Sequence, residues 1–314
     1  MATILSTVEE AAQRLERSVV TIGNFDGMHR GHQAIFEQVV ELAKEQEATP
    51  VALTFEPHPI AYFRPDAAPE RVSPAGQKFG LMGDAGAQLV VALTFDEELA
   101  NQSPQTFVEE VLHKGLKATH VVVGEDFRFG KKRAGDTDTL GELGASFGMK
   151  CTVAEFVTWK GEPISSTRIR GAISEGDVEA ARQMLGRPHR LCGTVVHGEK
   201  RGRKIGYPTA NMNVAEAAIP ANGIYVTTLG RAGEEHWRAV TSIGHRPTFD
   251  GDGRTVETYV MDDVDDLDLY GDEIELDFYR RVREEKKFDS VEELVVEMDR
   301  DVEMARQFFE EESI

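Results

Sequence analysis

Short β-branched apolar runs alternate, through the first 186 residues, with stretches whose apolar positions recur every three or four residues. The runs at 19–22, 51–55, 89–94, 121–123 and 150–154 read as strands. After the first of them, Ile35, Val39, Leu42 and Ala43 keep helical spacing. A second helix opens at Ser103-Pro104, a capping residue followed by proline in the first helical position, and presents Phe107, Val108, Val111 and Leu112 on one face. Such alternation predicts a parallel sheet covered on both sides, with ligands at the carboxyl ends of its strands. A further helix near 177–185 starts at Asp177 and stops at Gly186-Arg187-Pro188, which sets a domain boundary: 1–186 and 187–314.

Beyond that boundary the period changes to two. Ile274, Leu276 and Phe278 alternate with Glu275, Asp277 and Tyr279, the pattern of a half-buried strand. Runs at 194–197, 224–229, 237–243 and 255–261 read similarly, separated by glycine and acidic turns. Several short, closely spaced strands predict a small antiparallel barrel, closed or partly closed. The chain ends in a helix with Ser290 and Glu293 as a capping box. Its apolar stripe is Val291, Leu294, Val295, Met298, Val302, Ala305 and Phe309, read as core.

The richest segment is Ile22-Gly23-Asn24-Phe25-Asp26-Gly27-Met28-His29-Arg30-Gly31-His32, where the first strand meets the first long helix. A helix N-terminus offers unpaired N–H groups and a positive dipole end, and so attracts phosphate. Gly23, Gly27 and Gly31 let the backbone approach that anion closely. His29 and His32, three apart, meet on one helical face and add donors where charge develops on a transferring phosphoryl group. The segment predicts a nucleotide-phosphate site.

Composition narrows the choices. Formal charge is −20, which opposes non-specific binding to nucleic acid or anionic membrane. Basic residues gather in three islands: Lys131-Lys132-Arg133, Arg168/Arg170 and Lys200-Arg201-Arg203-Lys204. No apolar run approaches the ~20 residues of a membrane span, and the first 17 residues lack a signal-peptide core, so the cytoplasm is expected. Cys151 and Cys192 have no metal-type spacing and are expected to pack as small hydrophobes. No Gly-x-x-x-x-Gly-Lys-Ser/Thr string occurs, which excludes a P-loop.

Four more strings join the first: Thr54-Phe55-Glu56-Pro57-His58-Pro59, Gly124-Glu125-Asp126-Phe127-Arg128-Phe129-Gly130, Ile164-Ser165-Ser166-Thr167-Arg168-Ile169-Arg170 and Gly206-Tyr207-Pro208-Thr209-Ala210-Asn211. In this order and spacing the set resembles the bacterial bifunctional riboflavin kinase/FAD synthetase family over nearly the whole chain. The resemblance implies an N-terminal, Rossmann-like parallel-sheet domain that adenylylates FMN, and a C-terminal β-barrel that phosphorylates riboflavin. It implies ATP as co-substrate, Mg²⁺ as cofactor, and riboflavin, FMN and FAD as substrates or products. Partners are then small molecules, with neither nucleic acid nor membrane, and the assembly state is left open.

By the same resemblance, Gly23, Asn24, Phe25 and Gly31 hold nucleotide and His29 and His32 bind ATP phosphates. Ser165, Ser166, Thr167 and Arg168 hold the leaving pyrophosphate, and Asp126 and Phe129 fall in the flavin pocket. His58, between two prolines, reads equally as a loop-fixing residue or a ligand. In the barrel, Gly198, Gly202 and Gly206 flank a basic nucleotide loop ending in Pro208-Thr209-Ala210-Asn211. Thr209 and Asn211 help hold Mg²⁺, and Glu257 takes the proton from the riboflavin 5′-hydroxyl. Arg246 stands where relatives commonly place asparagine.

Overall fold

The computed structural model describes residues 2–198, 205–248, 251–262, 264 and 267–314. The chain divides into two compact units: Met1–Pro69 with Ala75–Ser166, and Glu70–Pro74 with Thr167–Ile314.

In the first unit, β1 (Thr3–Leu5), β2 (Ser18–Ile22), β3 (Thr49–Glu56), β4 (Leu89–Thr94), β5 (Ala118–Gly124) and β6 (Lys150–Ala154) form a sheet of order β1-β4-β3-β2-β5-β6. Every pairing is parallel. The predicted runs are all strands of this sheet, while the three-residue edge strand β1 has too little pattern to be read from sequence. Successive residues of β2 are buried in different layers. Val20 and Ile22 belong to one core, with Val108, Val111 and Leu112, and Val19 packs in another with Val39 and Ala43. Burial on both faces explains why these strands are apolar throughout rather than alternating.

Helices α1 (Val8–Ala12), α2 (Arg30–Glu45), α3 (Pro59–Phe63) and α4 (Ala75–Asp84) precede β4, and α5 (Glu97–Asn101) and α6 (Pro104–Thr106) follow it. The helix predicted from Ser103-Pro104 starts there, with Ser103 Oγ accepting from the Thr106 N–H at 3.0 Å. It widens into a π-helix over Phe107–Gly115. That wider winding keeps Phe107, Val111, Leu112 and Leu116, spaced by four or five, in one core.

In the second unit, α8 (Ser166–Glu175) follows α7 (Thr137–Ser146) of the first and leads into α9 (Val178–Leu185). Asp177 caps α9, and Gly186 ends it in the left-handed region at φ 76°, as its punctuation predicts. The two-stranded β7 (Thr158–Trp159) and β8 (Glu162–Pro163) belong to the first unit, and the strands of the second are β9 (His189–Val196), β10 (Thr209–Val214), β11 (Gly223–Arg231), β12 (Trp237–Thr248), β13 (Gly251–Val260) and β14 (Glu273–Arg283). They close into an antiparallel barrel of order β10-β13-β12-β11-β14-β9. Inside it, Leu191, Met212, Leu229, Ile243, Val256 and Leu276 pack together. A hydroxyl chain crosses that interior, Thr227 to Thr241 at 2.8 Å and Thr241 to Thr258 at 2.9 Å, so each buried hydroxyl finds a partner.

Five expectations are corrected. Residues 209–211 form strand, not the end of a loop, because all three pair with β13 and Asn211 pairs with β9 as well. β9 begins at His189 rather than 194. On β14, Asp277 and Tyr279 are buried along with the apolar positions, at 6% and 8% exposure. Arg190 grips Asp277 with two hydrogen bonds of 2.7 Å, and Tyr279 lies under the terminal helix. Finally, only the second half of that helix, Val291–Glu312, is core: Val302, Ala305, Phe308 and Phe309 are buried while Val291 is 55% exposed. Ser290 caps it as predicted, but Glu293 reaches back to the Asp289 N–H rather than to that of Ser290.

The helix is tied down by Asp301, 4% exposed, which accepts two hydrogen bonds from Arg283 at 2.9 and 2.7 Å. Removing one partner of such a buried pair strands the other charge. Asp301→Ala is therefore expected to lower unfolding free energy by about 3–5 kcal/mol, read by denaturant titration. A loss under about 1 kcal/mol would assign the pair to the class of exposed bridges instead.

Candidate active sites

The strand order explains the spacing of the motifs. β2 pairs with β3 on one side and β5 on the other, so the order in which strands are laid down reverses there, and ligands bind at such a switch point. The strings at 23–32, 54–59 and 124–130 leave the carboxyl ends of β2, β3 and β5, three neighbouring strands.

Between β2 and α2 the chain turns through left-handed backbone at Phe25 (φ 51°), Gly27 (φ 80°) and Met28 (φ 39°). Two non-glycine residues held there store strain, as functional turns often do. Phe25 and Met28 pay for their place by burial, at 3% and 1% exposure, in a core with Phe36, Met82 and Val90. His29 is the N-cap of α2: its Nδ1 accepts from the His32 N–H at 3.3 Å. A neutral ring that accepts at Nδ1 carries its proton on Nε2. The two imidazoles stack at 3.6 Å between centroids, and Phe25 meets His32 edge-on at 5.3 Å. A Cβ on Gly23 would stand 2.9 Å from the Phe25 ring, and one on Gly31 would stand 3.2 Å from the His29 ring. A side chain at position 23 would therefore have to displace the Phe25 ring, and one at position 31 would press more lightly on the His29 ring.

Ser166 Oγ donates to the Asp26 carbonyl at 2.8 Å, joining the start of α8 to this turn. Thr167 and Arg168 follow on the same first turn of α8, and Arg170 Nη1 bonds Thr167 Oγ1 at 3.5 Å. The two flavin candidates differ in setting. Asp126 is exposed, whereas Phe129 is core at 7% exposure, stacked on Phe127 at 5.4 Å and tilted against Phe107 at 5.7 Å. His58 caps α3, its Nδ1 accepting from the Ile60 N–H at 3.1 Å, which is the loop-fixing reading. Lys131, Lys132 and Arg133 are exposed.

One group of the first unit has no counterpart in the sequence reading. Tyr62 and Phe63 cluster with Phe95 at 5.6 and 5.7 Å, and Phe55 joins through Phe95 at 5.9 Å. Phe63 is 61% exposed. Phe95 is far from the other three along the chain, and the pairing of β3 with β4 brings it to them.

In the barrel, strand register builds the second site. Val195, Met212, Val256 and Ile243 face the interior, so their neighbours Val196, Asn211, Glu257 and Ser242 face outward. Asn211 pairs with Val196 on one side and Glu257 on the other, and Glu257 pairs with Ser242. Thr209, two residues before Asn211, shares its face and pairs with Tyr259. The outer wall thus carries a row of oxygen-bearing side chains across three strands. Ser242 was missed by sequence reasoning, although the period of two along β12 places it opposite the inward Thr241 and Ile243.

Gly198 lies against this row: a Cβ there would meet the Asn211 amide at 2.3 Å. Tyr207 packs edge-on to Tyr259 at 4.9 Å and donates its hydroxyl to Asp299. Burial first, and then that hydrogen bond, push its phenol up to about 12. Gly206 is left-handed at φ 90°. Gly202, the basic island Lys200 to Lys204 and the Arg246 side chain lie outside the described residues. Burial also pushes up both cysteine thiols, Cys192 to about 11, in keeping with inert packing. No helix among the described residues is long and apolar enough to cross a membrane.

A parallel sheet with paired imidazoles at its switch point, and a small barrel with an outward asparagine–glutamate pair, define a two-unit transferase of the nucleotidylyltransferase-plus-kinase class. Comparison with known proteins agrees. The FAD synthetase family model matches residues 11–168 and the riboflavin kinase model residues 185–309. The chain is 39% identical to the bifunctional riboflavin kinase/FMN adenylyltransferase of Pseudomonas fluorescens, over 92% of each chain. It is 35% identical to the protein of that name from Escherichia coli K12, over 94% of this chain and 93% of the other. A crystal structure of a Streptococcus pneumoniae protein, named a macrolide-efflux protein, superposes with a TM-score of 0.87 at 31% identity, covering 96% of this chain and 98% of that one. The chain belongs to the bifunctional riboflavin kinase/FMN adenylyltransferase family. It phosphorylates riboflavin to FMN with ATP, then adenylylates FMN to FAD and releases pyrophosphate.

Proposed function

We propose that residues 1–186 carry the adenylyl transfer and residues 187–314 the phosphoryl transfer. The observation that carries this division is that His29 and His32 stack within the first unit while Asn211 and Glu257 pair within the second.

In the first reaction the riboflavin 5′-hydroxyl attacks the γ-phosphorus of ATP and ADP leaves. Glu257 accepts the hydroxyl proton as that bond forms. Thr209 and Asn211 offer neutral oxygens beside that single carboxylate. A magnesium ion bound mainly by substrate phosphates needs only one or two carboxylates, so this donor set fits it. Bound there, magnesium would neutralise charge on the β- and γ-phosphate oxygens. Gly198, Gly202 and Gly206 let the nucleotide loop approach the triphosphate.

In the second reaction an oxygen of the FMN phosphate attacks the α-phosphorus of ATP and pyrophosphate leaves. The protein's share is positioning and charge neutralisation. His29 and His32 donate to triphosphate oxygens at the start of α2, with Gly23, Asn24, Phe25 and Gly31 shaping the turn. Ser165, Ser166, Thr167 and Arg168 take the leaving pyrophosphate, a planar guanidinium suiting paired oxygens. Asp126 and Phe129 border the flavin, and the exposed aromatic patch at Phe63 offers the flat apolar surface a flavin ring needs. The net charge of −20 supports an enzyme of small molecules over a nucleic-acid or membrane binder.

Chromatography of a riboflavin–ATP reaction tests the reading. With magnesium, FMN should appear first and FAD after it; with a chelator neither should accumulate, and restored magnesium should revive both. FMN made at full rate in chelator would overturn the metal role of Thr209 and Asn211.

A further inference from the structure

Helix α4 turns a lysine into the body of the first unit. Lys78 is 4% exposed, and its Nζ donates to Glu56 Oε1 at 2.5 Å and to Thr54 Oγ1 at 3.4 Å. Lysine is almost never buried so fully unless paired, since taking an ammonium out of water is costly. A leucine or methionine at this helix position would fill the space without that cost. The charge therefore calls for a reason beyond packing.

Its neighbours supply one. Thr54, fully buried, receives the lysine's proton donor and passes its own to the Asn24 carbonyl at 3.4 Å. The Gly23 N–H is meanwhile held by the Leu53 carbonyl at 3.1 Å. The end of β3 thus fixes the turn twice, immediately before the left-handed step at Phe25. A trans peptide is planar, so an anchored Asn24 carbonyl aims the Phe25 N–H in the opposite direction. Donation from an ammonium also polarises the threonine hydroxyl and, through it, the same peptide unit.

We propose that Lys78 is a positioning residue for adenylyl transfer, acting through Thr54 to set the Asn24–Phe25 peptide at the head of the triphosphate turn. The inference rests on reading the turn from Gly23 to His32 as the ATP phosphate site.

The test uses the full-length enzyme with Lys78→Met, Thr54→Val and the double variant. Conversion of FMN to FAD is measured with ATP and with the two diastereomers of α-thio-ATP, and riboflavin phosphorylation is followed as an internal control in the other unit. Both single variants should lose about 10- to 100-fold in kcat/KM for FAD formation, the scale of a small misplacement at a reacting centre. The KM for ATP should rise and the diastereomer preference should change, neither of which a simple loss of active enzyme can produce. The double variant should be no worse than the poorer single one. An unchanged KM and diastereomer ratio, or additive losses, would overturn the proposal. Should Lys78→Met fail to fold, the nearly isosteric Thr54→Val decides the matter by the same readouts. If His29→Asn left FAD formation intact, the phosphate-site reading itself would fail; if it crippled the reaction while Thr54→Val and Lys78→Met stayed silent, only the role of Lys78 would.

Discussion

Glu257→Gln should reduce FMN formation from riboflavin by about 10²–10⁴-fold, the range a general base contributes, and leave conversion of supplied FMN to FAD close to that of the parent enzyme. The amide keeps the size of the side chain and one hard oxygen but cannot take up a proton. Glu257 lies on the outer wall in register with Asn211 and Ser242, so the substitution disturbs no packed core position. Stability should stay within about 0.5 kcal/mol, as for surface changes generally. Separation of FMN and FAD after parallel incubations with riboflavin and with FMN reads both activities at once. Equal loss of the two would contradict the division of labour between the units, and undiminished FMN formation would remove Glu257 from the chemistry.

The complementary variant is His29→Asn, which should lower FAD formation from FMN by about 10²–10³-fold, the scale of deleting one donor that stabilises developing charge. Asparagine is among the best N-capping residues, so the amide can keep the cap that His29 Nδ1 now provides to the His32 N–H. What it removes is the Nε2–H donor and the ring stacked 3.6 Å from His32. Loss of activity with an unchanged melting temperature would then belong to phosphate binding rather than to the helix start. Riboflavin phosphorylation in the same preparation should be unaffected. An enzyme that still made FAD at the parent rate would show that the histidine serves only as a cap.

These two expectations draw on different kinds of legibility. The string from Gly23 to His32 is local: strand, glycine turn and helix start follow from a few consecutive residues, and the cap geometry of His29 is set within three positions. Glu257 carries no such signal. Alone it is one carboxylate on a strand, and only the resemblance singled it out before register placed it opposite Asn211. Thr209 and Asn211 read as loop rather than strand in sequence, because proline and glycine just before them mask the pairing that β9 and β13 impose. Asp277 and Tyr279 look like solvent positions by period, yet Arg190 and the terminal helix cover them from elsewhere in the chain. The apolar stripe of the terminal helix misleads in the other direction: a stripe records which face can be buried, not how far the partner surface extends.

By itself, then, the amino-acid order determined the parallel-sheet and barrel classes, the start and stop of α9, the cap of the terminal helix and the strand–turn–helix from Ile22 to His32, since each follows from neighbouring residues and a fixed period. Tertiary structure alone decided that the ends of β2, β3 and β5 are neighbours, that Lys78 and Thr54 support Asn24, that aromatic residues from two strand ends form one exposed patch, and that Asn211, Glu257 and Ser242 share a wall. Strand order and register are set by which apolar faces must be buried against each other, and that is a property of the whole packed chain rather than of any segment of it.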